Sequence, residues 1–361
     1  MKFDYLIVGA GLFGATLAQE LTRKGKTVLV VERKDEIGGM CSTEKRDGIT
    51  VHKYGAHIFR TDDKELWDYV NDFVTFKPFI NSPMSYVDGE LYNLPFNMNT
   101  FKQIWDVTKP DEAKSIIEKD LVPCDAPKNL EEKALSMVGK TIYLMFIKEY
   151  TEKQWGRKCT ELPASILGRI PLRFTYDNNY YSGKQYQGVP ITGYTFFIEQ
   201  LLSEAVVLTG IKDWRKMKKY ANNIIYTGSI DEYFDYCFGK LEYRSLYFEE
   251  YRLDYTDNAN GVAVINYPSN DVDYTREIEH KHFLDEESDI TIISREFPRE
   301  FDGTNERYYP IATGKNLELY RKYANIVTSN TTFAGRLGQY KYTDMEQTIK
   351  TARKLANKLC K

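Results

Sequence analysis

Phe3-Asp4-Tyr5-Leu6-Ile7-Val8-Gly9-Ala10-Gly11-Leu12-Phe13-Gly14 opens the chain, and Thr27-Val28-Leu29-Val30-Val31-Glu32 and Gly38-Gly39 follow soon after. An apolar run, a GxGxxG turn, a helix-compatible segment and a second apolar run read as strand, turn, helix and strand. That is the first βαβ unit of a dinucleotide-binding fold. Gly9 makes the tight turn, Gly11 lets the backbone approach a pyrophosphate, and Gly14 lets helix and strand pack closely. The helix that starts here offers free N–H groups and a positive dipole end to phosphate. Glu32 closes the second strand, where a carboxylate can accept from both ribose hydroxyls. The glycine motif by itself leaves NAD and FAD both open.

The chain has 361 residues, 42% hydrophobic and 28% charged, which suits a globular protein of about two to three domains. A net charge of −3 gives no basic footprint for nucleic acid or an acidic membrane. No apolar run approaches the ~18 residues of a membrane span, and the start runs straight into a strand without a signal-peptide core. The expected compartment is the cytoplasm, with no membrane insertion. Five scattered cysteines without a CxxC pair argue against a disulfide framework and a structural zinc site. His280-Lys281-His282 would put two rings on one strand face but lacks the usual accompanying ligands, so no metal is expected. Aromatic residues are unusually abundant at 14%, including 28 Tyr. Polar-tipped rings suit a site for sugars and bases as well as a core.

Past the opening unit, His57 lies in a loop beside Gly55, ahead of a helix expected over 63–73. Residues 79–94 alternate around Val87-Asp88-Gly89-Glu90 and predict a β-hairpin. Helical patterning covers 99–172. One start lies at Lys109-Pro110-Asp111 and another, with a good N-cap, at Asn129; a third segment spans 137–150. Thr151-Glu152-Lys153-Gln154-Trp155-Gly156 is expected to break that pattern, and the polar, glycine-bearing stretch from Trp155 reads equally as a mobile lid, near 155–169, or as an ordinary interhelical connection. Ile224-Ile225-Tyr226 predicts a strand returning to the first sheet, and 243–297 an antiparallel sheet. The chain ends in an amphipathic helix through Leu359. The fold class expected is α/β: a Rossmann-like dinucleotide-binding domain (1–78, 188–235, 311–361), a helical insertion (97–172) and an antiparallel β-sheet domain (79–96, 173–187, 236–310).

The stretch Glu32-Arg33-Lys34-Asp35-Glu36-Ile37-Gly38-Gly39 resembles FAD-dependent amine-oxidase-like proteins, which favours FAD over NAD. A longer series goes further. Tyr54-Gly55-Ala56-His57-Ile58-Phe59, Tyr150-Thr151-Glu152-Lys153-Gln154-Trp155-Gly156, Glu161-Leu162-Pro163-Ala164-Ser165, Pro190-Ile191-Thr192-Gly193-Tyr194, Tyr274-Thr275-Arg276-Glu277, Tyr308-Tyr309-Pro310 and Gly335-Arg336-Leu337-Gly338 resemble bacterial UDP-galactopyranose mutases. The segments run in the family's order from residue 3 to about residue 350.

The resemblance implies a non-redox isomerase using reduced FAD to interconvert UDP-galactopyranose and UDP-galactofuranose through a covalent flavin N5–sugar adduct, supplying furanose for cell-surface glycans. By motif position it implies that Arg169 and Arg276 hold the diphosphate. Tyr180, Tyr309 and Tyr342 would reach the phosphates, and Phe146 and Tyr150 would surround the uracil. Trp155 would ride on the lid, and His57, Asn81 and Asp344 would lie near flavin and sugar. For the cofactor it implies Gly9, Gly11, Phe13, Gly14, Glu32, Arg33, Gly38, Gly39, His57, Arg336 and Met345. A homodimer and a reductant such as NAD(P)H complete the expectation. One departure stands out: where many members read His-Ile-Phe-His-Thr, this chain has His57-Ile58-Phe59-Arg60-Thr61. An added cation there would help admit UDP-N-acetylgalactosamine. A redox flavoprotein of the amine-oxidase type and a nucleotide-sugar-binding protein without catalysis remain the alternatives.

Overall fold

β1 (Phe3–Val8), α1 (Leu12–Thr22) and β2 (Val28–Val31) form the opening unit in the computed structural model, which describes residues 2–167 and 172–361. The two strands pair in parallel, from Tyr5 opposite Val28 to Val8 opposite Val31. Leu6, Ile7, Val30 and Val31 are all buried, so these strands read as continuous apolar runs rather than alternating ones. Strand Val206–Leu208 adds beside β2, Ala221–Tyr226 beside β1, and Thr331–Phe333 beyond it, all in parallel. The C-terminal helix Met345–Leu359 packs along α1 through Ile349, Ala352 and Ala356. Remote parts of the chain thus close over the first βαβ unit.

A seven-stranded sheet stands against this layer. Its spine is the antiparallel pair Tyr243–Leu253 and Thr291–Glu300, followed by Arg276–Glu279 and Val264–Asn266. The hairpin Met84–Val87/Glu90–Asn93 joins the far edge, where Met84 and Ser85 pair in parallel with Ile265 and Asn266. Its turn residues Asp88 and Gly89 both have positive φ, as a two-residue hairpin with right-handed twist requires. A small sheet of Phe59–Thr61, Tyr186–Pro190 and Phe76–Pro78 carries the chain past His57. Strand Tyr186–Pro190 crosses the expected boundary at 187/188.

Helices Met98–Trp105, Pro110–Asp120, Leu130–Ile142 and Lys148–Trp155 make a lobe with its own core of Phe101, Ala134, Val138, Ile142 and Phe146. Asn129 caps its helix by accepting from Glu132 N at 2.9 Å. The structure corrects two boundaries. Residues 137–150 are not one uniform helix, because Gly139 has φ 81° and Tyr143–Ile147 is a π-helical turn. The next helix continues through Thr151 to Trp155 and ends at Gly156 in the left-handed conformation, so the pattern break expected at Thr151 falls five residues late. His280 and His282 lie on a 3₁₀ turn (His280–Phe283), not on a strand face. His280 is bound to Ser294 and His282 to Glu279. No group of metal-ligating side chains is found among the described residues, and no described helix is long and apolar enough to cross a membrane.

Candidate active site

A cavity of about 500 Å³ opens at the carboxyl ends of β1 and β2 and runs to the inner face of the seven-stranded sheet. Its first half is the glycine turn. Gly9 has φ +112°, and a Cβ there would collide with Thr227 Oγ1, itself donating to Val8 O at 2.7 Å. A Cβ at Gly14 would fall on the Gly9 carbonyl oxygen, so helix and strand approach only because no side chain intervenes. Gly11 differs: its Cβ would meet only Gly39 Cα at 3.8 Å, and its backbone lines open cavity. Gly11 is the N-cap of α1 and brings no capping side chain, which leaves the first-turn N–H groups free for an anion. Glu32 accepts from Ala10 N at 2.9 Å and Lys34 N at 3.0 Å, which fixes its carboxylate at the turn with lone pairs to spare. Arg33 lines the same end and pairs with Glu306 at 3.1 Å. A Cβ-free cradle, an uncapped helix start and a held carboxylate fit a dinucleotide pyrophosphate and ribose.

The far half gathers charge. Arg276 Nε donates to Asn266 Oδ1 at 3.2 Å, Nη1 to Glu296 Oε2 at 3.3 Å and Nη2 to the Tyr150 hydroxyl at 3.1 Å. A guanidinium has five N–H groups, so one on each Nη remains. The Arg276 side chain is 29% exposed and that of Glu296 3%. Burial opposes the Arg276 charge, yet Glu296 and the surrounding phenols hold its pKa well above the ordinary guanidinium value. Burial also pushes the hydroxyl pKa of Tyr309 up, so it stays a neutral donor. Arg336 donates to Tyr308 O and lies over the ring of Tyr342.

His57 Nδ1 is 2.7 Å from Gly55 O. A carbonyl only accepts, which assigns the proton to Nδ1 and leaves Nε2 as a free acceptor. Burial lowers the His57 pKa to about 4, helped by Arg336 and Arg276 and opposed by the Gly55 bond, so the ring is neutral at pH 7. Arg60 sits 4.0 Å from the centre of the Tyr181 ring and 3.8 Å from Asp344 Oδ2. Asp344 caps the last helix by accepting from Gln347 N at 2.8 Å, and Met345 follows it into the wall.

Gly9, Gly11, Phe13, Gly14, Glu32, Arg33, Gly38, Gly39, His57, Arg60, Arg276, Tyr309, Arg336, Tyr342, Asp344 and Met345 therefore share one cavity wall. Five expected residues do not line it. Tyr150 reaches the site through Arg276, and Trp155 lies 6.4 Å, ring to ring, from Tyr309. Tyr180 packs edge-on against Tyr181, and its N–H donates to the carbonyl of buried Asn81. Phe146 belongs to the helical-lobe core between Tyr92 and Phe96. Arg169 lies outside the described residues, as does residue 168 of the expected lid; 155–167 are described. Glu296, Tyr181 and Thr227 line the cavity without having been singled out from sequence, as does Tyr308, which was quoted in a motif but given no role. For Thr227 a signal existed, since Thr227-Gly228 directly follows the strand that returns to the first sheet.

Residues 145–342 match a family model described as UDP-galactopyranose mutase, and residues 7–73 one described as an NAD(P)-binding Rossmann-like domain. A "Probable UDP-galactopyranose mutase" of Klebsiella pneumoniae is 40% identical over 98% of this chain and 94% of its own length. A "dTDP-fucopyranose mutase" of Escherichia coli is 36% identical over 96% of each. The crystal structure of a reduced UDP-galactopyranose mutase superposes with a TM-score of 0.74 over 99% of this chain and 94% of that one, at 14% identity.

Proposed function

The chain belongs to the UDP-galactopyranose mutase family, and from that premise we propose that it interconverts UDP-galactopyranose and UDP-galactofuranose. It is an isomerase that uses FAD. Arg276 carries the substrate assignment: three of its donors are fixed by Asn266, Glu296 and Tyr150, two are left over, and it lines a cavity that also holds the dinucleotide cradle. Adjacent donors on a planar fork suit a diphosphate oxygen pair.

When bound in its reduced form, FAD supplies an electron-rich ring nitrogen able to attack an anomeric carbon. The protein's part is binding and orientation. Arg276, with Arg169 proposed as its second guanidinium, stabilises the nucleotide as a leaving group and keeps it for recombination. Neutral His57 offers Nε2 as an acceptor and orients rather than shuttles a proton. Arg60 and Asp344 sit where the sugar is expected, and Arg60 is proposed to admit a 2-acetamido sugar, UDP-N-acetylgalactosamine. One relative carries the name of a dTDP-fucopyranose mutase, so relatives at this distance differ in sugar and base. The same reading includes an external reductant such as NAD(P)H and a homodimer, both on the family resemblance, and a cytoplasmic location.

Incubating dithionite-reduced protein with UDP-galactofuranose and separating the products tests the assignment. Pyranose formation without net flavin oxidation is expected. Reaction only with the oxidised protein, with substrate oxidised and flavin reduced, would favour the amine-oxidase type, and UDP binding without product would leave only a nucleotide-sugar-binding protein.

A further inference from the structure

The helix Lys148–Trp155 faces the turn-rich loop 267–275, which ends at the strand opened by Arg276. Lys153 Nζ lies inside that loop, 3.0 Å from Tyr267 O, 2.6 Å from Ser269 O, 2.8 Å from Val272 O and 3.0 Å from Tyr274 O. Four carbonyls share the three N–H groups of one ammonium, and none of them can donate in return. The arrangement solvates a cation with main-chain dipoles in place of water.

Neighbouring residues on the helix reinforce the contact. Glu149, one turn earlier, accepts from Asn270 N at 2.8 Å. Tyr150, between them in sequence, accepts from Arg276 Nη2. At the loop's far end Thr275 N donates to Glu296 O at 2.8 Å, and Tyr267 N donates to Thr275 O at 2.9 Å. Carbonyls of residues 267 and 274 flank both ends of the loop and both reach Lys153, so the ammonium pins the loop's mouth just before Arg276.

We propose that Lys153 is a positioning residue for nucleotide-sugar binding: its caged ammonium holds the loop before Arg276 to the helix of Tyr150, and so sets the angle of the guanidinium toward the diphosphate. This rests on the assignment of Arg276 to diphosphate binding. With the cage emptied, the loop loses its internal cation, four carbonyls lose their donors, and Arg276 keeps its charge but not its aim. FAD binding, made at the glycine cradle on the other layer, is not touched.

The test uses the FAD-loaded protein and UDP as the probe. Lys153→Ala should retain native flavin content and bind UDP roughly tenfold more weakly by calorimetry, a loss of ~1.4 kcal/mol. Ammonium chloride at about 0.1 M should restore most of the affinity, because a free ammonium can enter the four-carbonyl cage. Tetramethylammonium chloride at the same ionic strength, having no N–H, should not. Arg276→Ala should be weakened and not rescued by ammonium. Failure of the native protein to bind UDP would overturn the Arg276 assignment itself. Native binding together with unchanged affinity in Lys153→Ala, or equal response to both salts, would overturn the role of Lys153 alone. Should Lys153→Ala fail to retain FAD, Lys153→Gln, with two donors on a side chain of similar reach, carries the same decision. Weakened UDP binding at full flavin content supports the proposal, and native affinity overturns it.

Discussion

Arg276 and Glu296 stand directly opposite each other on antiparallel strands, and Nη1 lies 3.3 Å from Oε2 in the cavity wall. The neighbouring strand therefore orients the guanidinium, with Asn266 and Tyr150 holding its other edges. Arg276→Lys keeps the charge but cannot serve Asn266, Glu296 and Tyr150 while presenting two further donors. With charge-assisted bonds at about 1.5–3 kcal/mol each, kcat/KM for UDP-galactofuranose should fall by about 10- to 150-fold. Flavin absorbance per chain should stay native. An unchanged kcat/KM would remove Arg276 from the diphosphate site.

The glycine turn separates folding from cofactor binding. A Cβ at Gly14 collides with the Gly9 carbonyl oxygen, whereas one at Gly11 meets only Gly39 Cα at 3.8 Å. Gly11 also has φ −80°, which any residue adopts. Gly14→Ala should lower the melting temperature of the cofactor-free protein. Gly11→Ala should leave that temperature within a few degrees of native but abolish yellow colour after purification with added FAD. Native protein, in contrast, should gain about 2.7 kcal/mol of stability at a hundredfold excess of FAD over its dissociation constant. Full flavin retention in Gly11→Ala would contradict the close-approach role.

The cradle was legible because its information is local: spacing alone puts Gly9, Gly11 and Gly14 on one turn and Glu32 at the next strand end. The cap at Asn129 was visible for the same reason. Glu296 was not, since nothing in an alternating strand distinguishes it; its role arises from register, which sets it against Arg276. Tyr180 and Tyr181 are adjacent and chemically alike, and only the fold puts Tyr181 under Arg60. Phe146 sits on the π-helical turn Tyr143–Ile147, a local departure no spacing announces, and packs in the lobe core. The helix outlasted its expected end because Lys153 and the carbonyls at its C-terminus are held from outside, the latter by Arg244 donating to Gln154 O at 2.9 Å.

Arg60 lies over the Tyr181 ring at 4.0 Å and 3.8 Å from Asp344 Oδ2, so its position is restrained by two partners. Arg60→His shortens the side chain and withdraws the permanent charge. If Arg60 admits the acetamido group, turnover of UDP-N-acetylgalactosamine relative to UDP-galactose should fall by about tenfold, ~1.4 kcal/mol of discrimination. Competing both sugars in one reaction with reduced protein measures the ratio directly. The same ratio in both proteins would discard the assignment.

Two buried histidines, His52 and His280, and the half-buried His57 set the response to acid. His57 N donates to His52 Nδ1, His52 N to His280 Nδ1, and His280 Nε2 bonds Ser294 Oγ at 2.6 Å. Burial drives all three pKa values down, His57 to about 4, His280 to about 3 and His52 well below its ordinary value. In the unfolded chain each titrates near 6.5. Between pH 6.5 and about 4 the unfolded state therefore binds protons that the folded state refuses, and stability falls as pH falls. The slope is at most ~1.4 kcal/mol per pH unit for each histidine. Glu279, lowered to about 2 chiefly by His282 and its hydrogen bonds against the opposing effect of burial, adds a separate loss between about 4.5 and 2. Urea unfolding of the FAD-loaded protein at fixed ionic strength should show the first window clearly. His280→Asn should be less stable at pH 7 yet show a slope between pH 6 and 4 reduced by up to ~1.4 kcal/mol per unit. An equal slope in native and variant protein would mean that His280 is already charged in the fold, contrary to its burial.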